Sequence, residues 1–297
     1  MIVAIVGPTA SGKTALSIAL ARKYNGEIIS ADSRQVYRGM DIGSGKATRG
    51  EMRGVRHHML DVASPRSTFS VGQYQAISKK ILKGILTRRK LPIVVGGTGF
   101  YIDSLLYNYA LPSVKPDPAL RRKLEKQSAE KLFAQLKKLD PARAANIDPH
   151  NPRRLVRALE IVLATGRPVP NREAALAQKT EYPILKIGLN PSAPALKKNI
   201  AARLAKRFRA GMIREVERLH ANGVSWKKLD DFGLEYRYVS RYLRGMITKE
   251  QMIARIEKES WHYAKRQMTW FKRDKQIHWV KNKKQAQALV KQFIKRK

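Results

Sequence analysis

The sequence predicts an α/β protein: a parallel sheet with helices on both faces, interrupted by an inserted helical domain. Three observations carry this. Short, unbroken apolar runs alternate with helical spacing over the first hundred or so residues, as strands buried on both faces require. A glycine-rich turn joins the first run to the first helix. Residues 115–180 then show no strand signal before another apolar run follows.

Taken in order, Ile2–Val6 is the first strand and residues 13–24 the first helix. "EIIS" at 27–30 is a second strand, and residues 71–89 carry helical spacing through Ile77, Ile81 and Ile85. "PIVVGG" supplies a buried strand at 93–95, followed by a helix at 101–107. The link "LPSVKPDP" is punctuated by proline and opens the insertion. Helices are expected there at 118–127, Ala129–Leu139 and Pro152–Thr165. The last has Asn151 as N-cap, Pro152 at the first helical position and Gly166 as terminator. "ILKIGLN" at 184–190 restores a core strand. The C-terminal third reads as mainly helical, with a last strand at Ile277–Val280. The expected division is a core of 1–114 and 181–297 with a helical insertion at 115–180.

Composition narrows the class. Apolar residues make up 43% of the 297, enough for a packed core and too many for a disordered chain. Lys and Arg number 60 against 23 Asp and Glu, a formal charge of +37. Solvation alone does not require that excess; it points to a polyanionic partner, nucleic acid ahead of an anionic membrane. The chain has no cysteine, which excludes disulfides and thiolate metal sites and fits a reducing cytoplasm. The opening apolar run is too short and lacks the basic flank of a signal peptide, and no stretch approaches the roughly 18 apolar residues of a membrane span. The six histidines never take a ligand spacing, and the side chains of His57 and His58 diverge on a strand, so no transition-metal site is expected.

The chemistry begins at "VGPTASGKTALS". Gly7, Gly12, Lys13 and Thr14 satisfy G-x-x-x-x-G-K-[ST], with a strand before and a helix after. In such a loop the backbone of Gly7, Pro8, Thr9, Ala10, Ser11 and Gly12 wraps an anion, and the helix N-terminus adds its positive dipole end. Lys13 neutralises terminal phosphates and Thr14 ligates Mg²⁺. The core is therefore P-loop NTPase-like. The loop alone allows ATP, but a hydrolase needs an acid at a buried strand end to support the metal. "PIVVGGTG" ends in glycines instead. Asp32 in "IISADSRQVYRG" is the acid at a comparable strand end, on the carboxyl edge where open α/β sheets bind ligands, with Thr98 of "GGTGFY" on the same edge. Asp32 there either accepts a proton from an attacking nucleophile or caps a turn through Ser33.

At these residues the chain resembles a known family. "GPTASGKT", "ADSRQVYRGMDIG", "HHMLDV", "PIVVGGTGFYI", "NPRRLVRALEI" and "YAKRQMTWF" stand in the order they have in bacterial tRNA dimethylallyltransferases, the tRNA isopentenyltransferases that modify the adenosine beside the anticodon. The resemblance runs to about residue 280. It implies that the loop holds the diphosphate of dimethylallyl diphosphate with Mg²⁺, so that diphosphate is the leaving group and no water-positioning acid is needed. It further implies that Asp32 is the general base for the exocyclic amine and that Thr98 helps to position the adenine. Asp32, Ser33, Arg34 and Gln35 would read the everted base. Arg203 would contact the diphosphate and Arg121 the tRNA. The stretch Arg153, Arg154, Leu155, Val156 and Arg157 would lie against the anticodon stem, with Arg153 and Arg157 on one helix face. Two departures stand out: Ala47 where the family commonly has proline, and "DDFGLEYRY" where members usually carry an isoleucine-glycine-tyrosine run.

On the C-terminal side, Lys258, Lys265 and Lys272 recur every seven residues, with Ile253, Ile256, Ala264 and Phe271 opposite; such a stripe suits an RNA backbone. Trp261 and Trp270 read as packing residues. The expected partners are the tRNA anticodon stem-loop and dimethylallyl diphosphate; neither a membrane nor an obligate protein partner is expected, and a monomer fits. Two other classes compete: a small-molecule kinase, which predicts ATP turnover and needs no such charge, and a non-catalytic RNA-binding module that keeps the loop as a relic.

Overall fold

The computed structural model describes residues 1–107, 109, 111–112, 114, 117–170 and 180–295. It divides into two compact units. One comprises Met1–Leu106 with Thr180–Lys297, the other Tyr107–Lys179, which starts ahead of the proline-punctuated link.

The larger unit is built on six parallel strands: β1 (Ile2–Val6), β2 (Gly26–Ser30), β3 (His57–His58), β4 (Leu91–Val95), β5 (Ile184–Leu189) and β6 (Ile277–Val280), in spatial order β3-β2-β4-β1-β5-β6. Every residue of β1 is buried, as a strand at the middle of a covered sheet must be. Its register with β5 runs from Ile2 opposite Ile184 to Val6 opposite Gly188. Helices α1 (Lys13–Lys23), α2 (Arg49–Met52), α3 (Val71–Thr87) and α4 (Gly99–Leu106) follow the early strands. After β5 come α9 (Ala193–Arg209), α10 (Met212–Ala221), α11 (Trp226–Phe232), α12 (Leu234–Leu243) and α13 (Lys249–Lys272), and α14 (Lys283–Lys295) follows β6. Leu16 and Leu20 of α1 and Ala286 and Val290 of α14 close over Val3, Ile5, Ile28, Ile93 and Ile187 as the main core. The two-residue β3 was not expected. It pairs His57 and His58 with Ile28 and Ile29 at the sheet's edge, too short a segment to show any periodicity.

In the smaller unit α5 (Pro118–Glu125), α6 (Ala129–Leu139), α7 (Pro141–Ala144) and α8 (Pro152–Thr165) surround Leu124, Leu132, Leu136, Leu155 and Leu159. The Asn151 side chain accepts from the Arg154 N–H, Pro152 occupies the first turn, and Gly166 ends α8 in the left-handed region. Among the described residues no helix is long and apolar enough to cross a membrane.

A candidate active site at the carboxyl edge of the sheet

The order β2-β4-β1 sets three loops side by side at one edge: the phosphate loop after β1, Asp32 after β2, and Gly97-Thr98 after β4. In the loop, Gly7 has φ +140°, and a Cβ there would come within 2.5 Å of the Leu189 carbonyl oxygen, so only glycine lets β5 end so close. Ala10 and Gly12 also adopt positive φ, curling the chain back on itself. Gly12 caps α1 without a side-chain hydrogen bond, which leaves the first-turn N–H groups of α1 for an anion. Ser11 Oγ is buried and has no hydrogen-bond partner, an orphan that an anionic oxygen would satisfy.

Cations converge on the same place. Lys13 Nζ donates to the Pro8 carbonyl at 2.5 Å. Burial first, and then the charge of Arg203, lower its pKa to about 7 against the opposing pull of Asp32. Arg203, from α9, donates to Thr9 Oγ1 at 2.5 Å; burial and the neighbouring Arg207 bring it down to about 10. Arg207, one turn further along, is buried and pairs with Glu235 of α12. The charge of Arg207 thus weighs on Arg203, and that of Arg203 on Lys13. Thr14 is exposed at the mouth of the loop.

Facing them across a cavity of about 340 Å³ stands Asp32. Its Oδ1 accepts from the Arg34 N–H at 2.8 Å and the Gln35 N–H at 3.4 Å, so the turn-capping reading holds, and the residue nevertheless lines the same cavity as Lys13 and Thr14. Thr98 Oγ1 accepts from the Ser33 N–H at 3.1 Å, tying the two loops together, and its side chain hydrogen-bonds the Tyr263 phenol. Burial and Asp32 push that phenol up to about 12, which keeps it neutral. Arg34 donates to the Phe232 carbonyl at 2.7 Å. The Gln35 amide donates to Gly45 O and accepts from the Ser30 hydroxyl, so the fold already uses both of its ends. The site therefore joins an anion cradle to a carboxylate with an open space between them.

The profile of the IPP transferase family, IPPT, matches residues 35–274. The chain belongs to that family. It is 44% identical over 270 residues to a tRNA dimethylallyltransferase of Roseiflexus sp. (strain RS-1), covering 90% of this chain and 88% of the relative. With that of Anoxybacillus flavithermus (strain DSM 21510 / WK1) it shares 39% over 269 residues, covering 90% and 86%. Among solved structures it superposes on the tRNA isopentenylpyrophosphate transferase of Bacillus halodurans with a TM-score of 0.73 at 37% identity, covering 99% of this chain and 95% of that one. A eukaryotic dimethylallyltransferase crystallised in the act of modifying tRNA matches at a TM-score of 0.75 and 27% identity, covering 91% and 69%.

Within this family member several of the residues expected to meet tRNA have partners in the fold itself. Leu155 and Val156 are buried in the core of the smaller unit, and their side chains are packing, because the apolar face of α8 turns inward at those two positions. Arg121 Nε and Nη2 grip the buried Glu160 at 2.6 and 2.7 Å, and Arg157 reaches the same carboxylate at 3.2 Å. An arginine pair neutralising a buried acid holds its own helices together. Arg153 and Arg154 are exposed. The divergent stretch Asp231–Arg237 lines the cavity instead of lying apart from it, with Tyr236 buried and hydrogen-bonded to Glu215.

Among the cavity residues not singled out in the sequence are Arg207, Glu235, Tyr263 and Gln267. The signal for two of them was present. Ser260, Tyr263 and Gln267 fall at helical spacing, and "AKRQMTWF" is too polar on one side to be an ordinary buried face.

Proposed function

We propose that this protein transfers the dimethylallyl group of dimethylallyl diphosphate to the exocyclic N6 amine of the tRNA adenosine 3′-adjacent to the anticodon, releasing diphosphate. One observation carries the reading: Asp32 lines the same cavity as Thr9, Lys13 and Thr14 of the anion-binding loop. Family membership supports tRNA prenylation over the kinase and the relic module. So does β4, the strand beside β1, which runs into Gly96-Gly97 where a hydrolase would carry its metal-supporting acid.

The loop backbone, Lys13 and Arg203 bind the diphosphate and stabilise the charge that grows on it as the carbon–oxygen bond breaks. The amine nitrogen forms the new bond to the allylic carbon, the electron pair of the broken bond leaves with diphosphate, and Asp32 accepts the amine proton. Thr98 holds the Asp32 turn through Ser33, and Tyr263 holds Thr98. The adenine must be everted from its stack to enter the cavity.

Magnesium fits the residues present, as an ion that arrives with its phosphates. Thr14 offers a hydroxyl at the loop, and among the described residues no group of three or more His, Asp or Glu side chains would hold a metal by itself. Bound there through Thr14 and phosphate oxygens, Mg²⁺ would supply further neutralisation of the leaving group. For the RNA, the reading assigns Arg34 to the everted base and the exposed Arg153 and Arg154 to the anticodon stem. The cytoplasm, where tRNA is found, is the expected compartment.

The test is mass spectrometry of tRNA nucleosides after incubation with dimethylallyl diphosphate and Mg²⁺. Wild-type protein should yield prenylated adenosine. Asp32→Ala should slow single turnover by about 10²–10⁴-fold and leave tRNA affinity nearly intact. Equal losses of binding and turnover would remove Asp32 from the base role, and ATP turnover without prenyl transfer would favour the kinase.

A further inference from the structure

The backbone ladder between β1 and β4 ends at Ile5 and Val95, with a last long contact from the Gly96 N–H to the Ile5 carbonyl at 3.4 Å. Beyond it the two chains separate, one into the anion cradle and the other into the Gly97-Thr98 turn. The Gln267 side chain bridges them. Gln267 of α13 is buried, with 5% of its surface exposed. Its Oε1 accepts from the Thr9 N–H at 2.7 Å, and its Nε2 donates to the Gly97 carbonyl at 2.9 Å. The fit is tight: a Cβ on Gly97 would lie 2.0 Å from Nε2. Thr9 is also the residue whose hydroxyl receives Arg203, and Gly97 precedes the threonine that holds the Asp32 turn.

We infer that Gln267 is a positioning residue for the transfer reaction: its amide sets the separation between the diphosphate cradle and the Asp32–Thr98 turn. This rests on the prenyl-transfer reading above. The amide is chemically suited, because one end must accept from a backbone N–H and the other must donate to a backbone carbonyl, and its oxygen and nitrogen branch from the same carbon. Glutamate offers no donor to Gly97. Asparagine is one methylene too short to reach both loops from α13. Two reactants held in line gain most of their rate from that geometry, so a displacement of about 1 Å costs around 10²-fold. Gln267 acts through the loops and does not itself reach the reacting atoms.

The experiment compares Gln267→Met, which keeps length and loses both hydrogen bonds, with Gln267→Glu, which keeps the acceptor and loses the donor. Lys186→Met serves as the stability control. Lys186 is a buried β5 residue that pairs with Asp274 at 2.7 Å, away from the cavity. The readouts are single-turnover prenyl transfer at saturating dimethylallyl diphosphate and tRNA, the affinity for inorganic pyrophosphate, and Tm. Both Gln267 variants should lose about 30- to 100-fold in single-turnover rate, with pyrophosphate affinity and KM for tRNA changed by far less. Lys186→Met should lower Tm while its rate stays close to wild type. Gln267 variants that react at the wild-type rate, or a Lys186 variant that loses rate as steeply for the same fall in Tm, would overturn the inference. Wild-type protein that transfers no prenyl group would overturn both this inference and the function it rests on, whereas wild-type transfer with an unimpaired Gln267→Met would overturn this inference alone.

Discussion

An ammonium at the centre of an anion cradle is in a poor environment until its anion arrives. Lys13 shows the consequence, since burial and Arg203 bring it to about pH 7, where half of it has lost its proton. A diphosphate beside it favours the charged form again, so binding must be accompanied by proton uptake whenever the pH lies above the free-site value. The sign is fixed: affinity falls as pH rises from about 8 to 9, a range in which the donor's own phosphates, with a second pKa of about 6, no longer titrate. Calorimetry of dimethylallyl diphosphate binding without tRNA, in two buffers of different ionisation enthalpy, should show net uptake at pH 8, and Lys13→Ala should abolish it along with most of the affinity. Proton release at that pH would mean that Lys13 is already charged in the free protein. At this same scale the sequence was informative where chemistry is local. The loop motif fixed Lys13 and Thr14 because all its parts lie within eight residues. It was silent on Gln267, whose partners Thr9 and Gly97 are 258 and 170 residues away. It could not show the partner of Arg121 for a similar reason, since Glu160 stands 39 residues on.

At the scale of elements, the strands and helices next to the site were legible because each is specified by its own few residues. The burial of β1 follows from an unbroken apolar run, and α8 begins and ends where its asparagine, proline and glycine place it. The edge strand β3 has no such signature, and its stability comes from elsewhere. His58 Nε2 meets Glu27 Oε2 at 2.6 Å, and Arg88 and Lys90 reach the same carboxylate at 2.8 and 3.3 Å. Glu27 is buried on β2, which alone would raise its pKa, but hydrogen bonds from Arg88, His58 and Lys90 bring it down to about 2. A carboxyl depressed by folding contributes stability above its unfolded value and loses it as the pH falls toward the folded one. Glu27→Gln should therefore cost on the order of 3 kcal/mol at neutral pH, and the gap from wild type should close between about pH 4.5 and 2. Urea denaturation across that range measures it. A difference that did not depend on pH would assign the loss to packing instead of charge.

For the whole molecule, the surplus of positive charge is what secondary structure does not need and the partner does. Acids are scarce, and several are spent inside: Glu27, Glu160, Glu215 and Glu235 are buried among cations or backbone N–H groups. The helix α13 divides the labour between its two sides. Its inner side supplies Tyr263 and Gln267 to the cavity, while Lys258, Lys265 and Lys272 are exposed on its surface at one heptad spacing. Lysines that contact phosphates displace condensed counterions, and each neutralised phosphate contributes about 0.7–0.9 to the slope of log affinity against log salt. Replacing Lys258, Lys265 and Lys272 together with glutamine should make the tRNA-binding slope shallower by about 2 to 3 and weaken binding most at low salt, with the fold intact because the helix face toward the core is untouched. Fluorescence anisotropy with a labelled anticodon stem-loop, titrated from about 50 to 200 mM salt, reads that slope directly. An unchanged slope would take the stripe out of the RNA-binding surface and leave the excess charge to residues elsewhere.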